Sequence, residues 1–196
     1  MPYDLKKSML PHSFFERDPL TCAQELTGCE LVWGKCAGVI VETEAYSVSG
    51  DEACHTFSRK GARHFVETHP AGAAYVYLNY GVHWLLNVLV KGGVEDGFVL
   101  IRALEPVAGL ALMRRRRSTD SLRALCSGPG KLSKALGVCG GDHGLDLCED
   151  PERCFMPRPK SVEVVSDVRI GISKASHLPW RFLVKGSPFV SVPVKT

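Results

Sequence analysis

The chain has 196 residues, of which 45% are hydrophobic and 23% charged, and this balance predicts one folded domain over residues 1–196 rather than a disordered chain. No segment reaches the roughly 18 consecutive apolar residues of a membrane-spanning helix, and residues 1–10 have no apolar run of signal-peptide length. We therefore expect a cytoplasmic protein without membrane contact. A net charge of +3 is too small to predict a polyanionic partner by itself.

The eight cysteines contain no C-x-x-C pair, and without a secretory signal they predict reduced thiols. One group could in principle hold zinc, because Cys139, His143, Cys148 and Cys154 carry the donor atoms of a closed tetrahedral site. Their spacings match no zinc module, and the segment between them is a loop rich in Gly and Asp. We therefore favour thiols and predict no metal.

The first elements have clear local signals. Asp18 is a suitable N-cap, Pro19 a suitable first residue, and Gly28 a suitable stop, which together predict a helix. The following stretch, GCELVWGKCAGVIVETEAY, predicts two strands around a turn at Gly34–Lys35. The segment AAYVYLNYGVHWLLNVLV predicts a hairpin that turns near residues 79–81.

The second half alternates strands, helices and loops. GFVLIRAL predicts a strand, Glu105–Pro106 would open a helix that runs into the arginine run 114–117, and SGPGKLSKALGV predicts a short helix. We expect loops up to Pro159 and then strands in VEVVSDVRIGIS and RFLVKGSPFVSV. The pattern indicates one mixed α/β (α+β) domain with a largely antiparallel sheet.

The stretch VETEAYSVSGDEACH places four carboxylates beside an apolar strand. Strand alternation predicts that Val39, Val41, Thr43 and Ala45 share a core face and that Ile40, Glu42, Glu44 and Tyr46 share the other. Two carboxylates roughly 7 Å apart beside an aromatic ring suit acid and base chemistry on a glycosidic bond. A pair of solvated glutamates on an exposed strand is the alternative.

Aromatic and basic residues suggest nucleic acid. Tyr75 is expected in the core, whereas Tyr80 stands beside a glycine at a hairpin tip and should project outward. The run Arg114–Arg117, with Arg123, Lys131 and Lys134 following, is either a phosphate-binding patch or a solvated helix face. SGPGKLS lacks the spacing of a P-loop, and no dinucleotide, zincin or serine-hydrolase motif occurs, so we predict no cofactor.

Seven blocks, in order, resemble the alkylpurine DNA glycosylases of the mammalian 3-methyladenine type: VETEAY, DEACH, YVYLNYG, LLNV, VLIRALEP, CSGPGKL and RFLVKGSPFVSV. The resemblance extends from about residue 12 to the C-terminus. It implies a single domain with a curved antiparallel sheet flanked by helices, and no metal or cofactor. It also implies monofunctional hydrolysis of the glycosidic bond of damaged purines in DNA. We further expect a monomer that acts on double-stranded DNA and is nucleoid-associated in a bacterium.

The resemblance also implies roles for individual residues. Glu44 matches the base that activates a water, and Arg102 and the backbone at Ile172 match groups that hold this water. Tyr46, His55, Tyr77 and Asn87 match the base pocket, to which Ala53 and Leu100 also belong. Tyr80 matches the wedge that fills the gap left by a flipped nucleotide, with Val82, Arg63 and Lys131 as further DNA contacts. Glu42 has no such role and is expected to support the strand or to be solvated.

The chain departs from the family between His55 and YVY, where GARHFVETHPAG keeps Arg63 but has Ala62, His64, Glu67 and Thr68. Val82 stands where a methionine is common. These changes lie at the expected DNA-facing rim and bear on the lesion range. Two other functions stay open: a damaged-DNA-binding module with weak or no catalysis, and a hydrolase of free nucleosides or small glycosides.

Overall fold

The computed structural model describes residues 9–194. The predicted domain 1–196 and the expectation for residues 1–10 therefore extend outside the described residues. The described strands are β1 (Glu30–Trp33), β2 (Cys36–Ser47), β3 (Ala74–Asn79), β4 (His83–Val90), β5 (Gly97–Ala108), β6 (Arg153–Met156), β7 (Val164–Asp167) and β8 (Arg181–Val184). They form one curled antiparallel sheet in the order β3-β4-β5-β2-β1-β6, and β8 pairs with both β2 and β7. The predicted mixed α/β fold with a curved sheet is confirmed.

The described helices are short and lie around this sheet. They are α1 (His12–Phe15), α2 (Pro19–Leu26), α3 (His55–Ser58), α4 (Lys60–Thr68), α5 (Leu110–Arg117), α6 (Leu122–Cys126) and α7 (Pro129–Leu136), with a 3₁₀ turn at Gly140–Asp142. Helix α2 begins as predicted, since the Asp18 carboxylate accepts a hydrogen bond of 2.9 Å from the Thr21 N–H. None of these helices has the length and apolarity that crossing a membrane requires.

The long strand β2 is the centre of the sheet. It pairs with β5 along one edge, and with β1 and then β8 along the other. Register shifts between Ile40 and Thr43 mark a bulge in its pairing with β5. A bulge reverses the facing of the residues before it: Ile40 lies in the main core with Ala45, and Val41 lies in a separate cluster with Leu183. The predicted faces of these two residues were therefore wrong.

The predicted helix start at Glu105–Pro106 was also wrong. Both residues belong to β5, where Glu105 pairs with Val39 and Pro106 with Gly38. Pro106 is tolerated because the ladder is irregular beside Gly38, and prolines occur in sheets at such positions. Helix α5 begins only at Leu110, after Gly109 turns the chain with a φ of 72°.

The C-terminal third differs from the expectation in two further places. Residues 153–156, predicted as loop, form β6, which pairs with β1. The segments RIGIS and residues 185–192, predicted as strand, lie outside the strands β7 and β8. Their backbone lies beside the glutamates of β2, because the Ile170 N–H donates to the Glu44 carboxylate and the Ser191 N–H to that of Glu42.

Two of the four arginines in the run 114–117 form hydrogen bonds to backbone carbonyls near helix ends. Arg116 Nη1 donates hydrogen bonds to Ala135 O and Leu136 O at 3.0 and 2.6 Å, so it caps the last turn of α7. Arg117 Nε donates to Leu125 O at 3.2 Å near the end of α6. Arg115 is the exposed member of the run. These arginines hold three helices together, which neither of the two expected interpretations included.

Candidate active site

Glu44 lies at the middle of the sheet, with Leu100 of β5 beside it on one side and Arg181 of β8 on the other. Its side chain is fully buried. Tyr46 OH donates a hydrogen bond of 2.7 Å to Glu44 Oε2, and the Ile170 N–H donates one of 2.7 Å to Glu44 Oε1. Arg102 Nη1 lies 3.2 Å from Glu44 Oε2. A carboxylate accepts about four hydrogen bonds, so these three donors leave room for one more.

Burial raises the pKa of Glu44, because desolvation penalises the charged carboxylate. The Arg102 charge and the hydrogen bonds from Ile170 and Tyr46 lower this pKa and so offset part of the effect. The pKa of Tyr46 is raised well above its ordinary value by burial and by the neighbouring Glu44 charge, so Tyr46 keeps its proton and stays a donor. The site therefore combines a buried carboxylate with a pKa above that of ordinary glutamate and a set of fixed donors.

A cavity of about 320 Å³ opens next to these donors. Its volume is at the small end of the range of ligand pockets. Tyr46, Arg102 and Ile170, which contact the Glu44 carboxylate, are part of its wall. The predicted pocket residues Tyr46, Ala53, His55, Tyr77, Asn87 and Leu100 all line it, as do Tyr80 and Ile172. The structure thus brings these residues together. The N–H that contacts Glu44 is that of Ile170, and Ile172, whose backbone is predicted to hold the water, lies in the cavity wall two residues further on.

The part of the cavity wall around His55 consists of uncharged aromatic rings. Its ring lies edge-on to Tyr77 with a centroid distance of 4.3 Å, and its Nδ1 is 3.1 Å from Tyr75 OH. Burial and the nearby Arg59 charge lower the pKa of His55 to about 4, so the ring is neutral at physiological pH. The pKa of Tyr77 is raised to about 12, mainly by burial. A planar ligand would meet neutral rings on this side.

Asn87 is 4% exposed, and its Nδ2 donates a hydrogen bond of 3.1 Å to Tyr75 O across the hairpin. This bond fixes the orientation of the carboxamide. An amide held in this way can contact a ligand edge from one direction only, which suits discrimination between related bases.

A second buried pair supports Tyr46 and was missed from the sequence. The Arg169 guanidinium binds both oxygens of Asp51 at 2.6 and 2.8 Å, and its Cζ lies 4.7 Å from the Tyr46 ring centroid. Trp180 is 5.1 Å from the same Cζ. Asp51 and Arg169 stand in the quoted DEACH and RIGIS segments, but they are 118 positions apart. No pattern of neighbouring residues in the sequence indicates that Asp51 and Arg169 form a pair.

The outer rim carries the residues predicted to contact DNA. Tyr80 is 86% exposed at the β3–β4 turn, and Val82 is 70% exposed beside it. Lys131 is exposed in the first turn of α7. Arg63 is exposed as a residue, but its Nη1 donates a hydrogen bond of 2.5 Å to Thr56 O, so it also closes the end of α3. The divergent segment after His55 forms most of helix α4, whose Ala62, Phe65 and Val66 pack in a hydrophobic cluster with Tyr75 and Phe98.

The four residues considered for zinc do not form a common site. Among residues 9–194 the group with metal-binding distances is instead His12, Asp146 and Cys148. Asp146 Oδ2 lies 2.9 Å from His12 Nε2, and Asp146 Oδ1 accepts a hydrogen bond from the Cys148 N–H. A side-chain hydrogen bond and a turn therefore account for this group. Within the same range the cysteines are free thiols, as expected.

A buried carboxylate beside an aromatic pocket, with an exposed tyrosine at the rim, is an arrangement suited to chemistry on a base. The family model described as "Methylpurine-DNA glycosylase (MPG)" matches residues 13–188. The chain therefore belongs to the methylpurine-DNA glycosylase family, as the resemblance predicted.

Curated relatives agree with this assignment. The chain is 49% identical over 184 residues to a "Putative 3-methyladenine DNA glycosylase" of Rhodopseudomonas palustris (strain BisB18), covering 94% of this chain and 91% of the relative. A protein of the same printed name from Agrobacterium fabrum is 44% identical, covering 93% and 92% of the two chains. One from Methanoculleus marisnigri is 45% identical, covering 93% and 98% of the two chains.

Proposed function

We propose that this DNA glycosylase hydrolyses the N-glycosidic bond of alkylated purines, of the 3-methyladenine and 7-methylguanine type, in double-stranded DNA. It is monofunctional, acts as a monomer and single domain in the cytoplasm or on the nucleoid, and leaves an abasic site. The observation that carries the proposal is the Glu44 carboxylate, which is fully buried against the cavity wall with three donors and room for one water. The names of the relatives support the 3-methyladenine part of the substrate class.

In the proposed reaction a water held by Glu44 attacks C1′ of the flipped nucleotide and gives its proton to the carboxylate. The bond between C1′ and the base nitrogen breaks, and its electron pair leaves with the base. A purine alkylated at N3 or N7 is positively charged and departs neutral, so the leaving group needs no proton. Arg102 and the backbone near residues 170–172 hold the carboxylate and its water. Preorganised donors of this kind cost no reorganisation at the moment of reaction.

The pocket chemistry supports a cationic base as substrate. Tyr46, Tyr77 and neutral His55 offer electron-rich rings, and each stacked ring favours a cation by roughly 0.5–2 kcal/mol. A protonated His55 would repel such a base, and its low pKa of about 4 prevents this. Asn87, with its amide held by Tyr75 O, would disfavour the exocyclic amino group of guanine. Normal guanine is neutral and has nothing to offset this, whereas 7-methylguanine carries the positive charge that the rings favour. Ala53 and Leu100 complete the apolar wall.

Binding to duplex DNA would use the rim. Extruding a nucleotide from the stack costs a few kcal/mol, and the exposed ring of Tyr80 can fill the resulting gap. Val82 would lie beside it in the minor groove, and Lys131 and Arg63 would contact phosphates. Phosphate contacts make the affinity fall with added salt, which separates this function from the hydrolysis of free nucleosides.

The first prediction concerns Glu44→Gln, which keeps the size of the side chain but removes its basicity. We expect excision to fall by roughly 10²- to 10⁴-fold, the usual size of general-base catalysis, with little change in affinity for damaged duplex. The assay counts released base and abasic sites from methylated duplex DNA under single-turnover conditions. Glu163→Gln is the matched control, because Glu163 is an exposed partner of Lys185.

Two outcomes would contradict the proposal. Excision that persists in Glu44→Gln would remove Glu44 as the base. Binding of damaged duplex without excision by the wild type would instead favour the damaged-DNA-binding module.

A further inference from the structure

We propose that Glu42 is a positioning residue, which orients Arg102 and balances its charge so that Glu44 stays an effective base. The inference rests on the proposed role of Glu44. The two glutamates are two positions apart on the same face of β2, and both side chains are fully buried. Their hydrogen-bond partners differ, and from this difference we infer different roles for the two carboxylates.

Four donors hold Glu42. Its Oε1 accepts hydrogen bonds from Arg102 Nε at 3.1 Å, Arg181 Nη1 at 3.0 Å and Ser191 Oγ at 2.8 Å. Its Oε2 accepts one from the Ser191 N–H at 2.6 Å. Of the residues that supply these donors, Arg102 lines the cavity, whereas the three donors of Glu44, from Tyr46, Arg102 and Ile170, all belong to the cavity wall. Glu44 is therefore the glutamate whose donors surround the space for a water.

Arg102 joins the two glutamates through one rigid group. Its Nε binds Glu42, its Nη1 lies 3.2 Å from Glu44 Oε2, and its Nη2 donates to Ser191 Oγ at 3.3 Å. The guanidinium is planar, so fixing Nε and Nη2 also fixes where Nη1 stands. Glu42 and Ser191 thus determine the direction from which Arg102 approaches the base.

Glu42 also balances charge around Glu44. The groups that face Glu44 are Arg102 from β5, Tyr46 and Glu42 from β2, and the Ile170 N–H from the segment after β7. On the neighbouring strand β8, Arg181 is neutralised by Glu42 and by Asp167, whose Oδ2 is 2.5 Å from Arg181 Nη2. Without the Glu42 charge, Arg102 and Arg181 would act on Glu44 with less compensation. The carboxylate would then be a weaker base, since the negative charge of Glu42 helps to raise its pKa.

The test is Glu42→Gln, which keeps an acceptor oxygen for Arg102 but removes the charge. We expect single-turnover excision to fall, by up to about 10²-fold for a misplaced catalytic group, with unchanged affinity for damaged duplex. The acid limb of the pH–rate profile should also move to lower pH, because Glu44 becomes easier to ionise. A purely structural role would leave that limb in place. Wild-type rate and wild-type pH profile in a folded Glu42→Gln variant overturn the proposal.

A second variant decides the question if Glu42→Gln does not fold. Ser191→Ala removes hydrogen bonds to Glu42 and Arg102 but no charge, so the rate should fall severalfold while the acid limb stays where it is. An unchanged rate in Ser191→Ala contradicts the positioning role. Glu44→Gln is measured in parallel: if that variant stays active, the proposed base is wrong, whereas if it alone is inactive, only the inference about Glu42 is wrong.

Discussion

Tyr80 has a backbone conformation that its side chain does not favour. Its φ of 50° lies in the left-handed region, and the ring is 86% exposed, so packing gives no reason to retain it. For a residue other than glycine this region costs roughly 1–2 kcal/mol. An unfavourable backbone conformation together with an exposed aromatic ring is what we expect where a side chain is retained for binding.

We therefore predict that Tyr80→Gly separates stability from activity. The free energy of unfolding should be unchanged or higher by up to about 1 kcal/mol, since glycine favours this φ. Excision from duplex DNA should fall about tenfold or more, whereas excision from single-stranded DNA should stay near the wild-type rate, because no stacked duplex has to be opened. Denaturant unfolding and the two excision assays check this. Equal losses on both substrates would mean that Tyr80 acts on the base and not on the stack.

At the scale of single residues, the sequence predicted the pocket well and its support poorly. Alternation in a strand is enough to place Glu44 and Tyr46 on one face. It cannot distinguish Glu44, the proposed base, from Glu42, because the two differ in the donors that Arg181 and Ser191 supply only after folding. The pair of Asp51 and Arg169 was missed for the same reason, since each meets its partner only after folding.

Helix α2 supports the strand that carries the glutamates. Ala23 O accepts hydrogen bonds from Thr27 Oγ and from Thr43 Oγ, both at 2.9 Å. Thr43 stands between the two glutamates in β2, on the opposite face of the strand. The position of α2 is thus coupled to the backbone of β2, which sets the direction of the Glu42 and Glu44 side chains.

Asp18→Ala should weaken this support. Loss of the N-cap bond to Thr21 is expected to lower the free energy of unfolding by about 1 kcal/mol, measured by urea denaturation at pH 7. Asp18→Asn is the control, because its side-chain oxygen still caps the helix.

Although burial opposes the shift, hydrogen bonds lower the pKa of Asp18, so its charged form is stabilised by folding. This contribution is present above the ordinary pKa of Asp and is lost as the pH falls through the lower, folded value. Equal stability of Asp18→Ala and the wild type would contradict the role of the cap.

The elements that the sequence predicted are those with local signals. The N-cap of α2, the turn at Gly34–Lys35 and the β3–β4 hairpin are specified by neighbouring residues. Strand β6 and the extension of β5 through Pro106 depend on partners in β1 and β2. A four-residue strand at the edge of a sheet has too little pattern of its own to be recognised without its neighbour.

At the scale of the whole molecule, His55 makes stability depend on pH. Its pKa of about 4 in the folded state is below the ordinary value of roughly 6.5. Between these values the unfolded chain binds more protons, so the free energy of unfolding falls as the pH drops through this window.

We predict that His55→Gln shows a smaller loss of stability between pH 7 and pH 5 than the wild type. Urea denaturation at both pH values measures the difference. His64→Gln is the control, because His64 is exposed on α4, and its pH dependence should match that of the wild type. If His55→Gln also matches the wild type, His55 is protonated in the folded state and the pocket is not kept neutral by burial.

The donors around the two glutamates come from distant parts of the chain. Ile170 is 126 positions after Glu44, and Ser191 is 149 positions after Glu42. During synthesis on the ribosome Ile170 emerges after β7, and Ser191 emerges after all eight described strands. A nascent or truncated chain that stops before them would lack the Ile170 N–H and both Ser191 donors. On the proposed function, such a chain would not release bases from DNA. Abasic sites would then be formed only by molecules in which the segments that carry Ile170 and Ser191 have already folded against the glutamates.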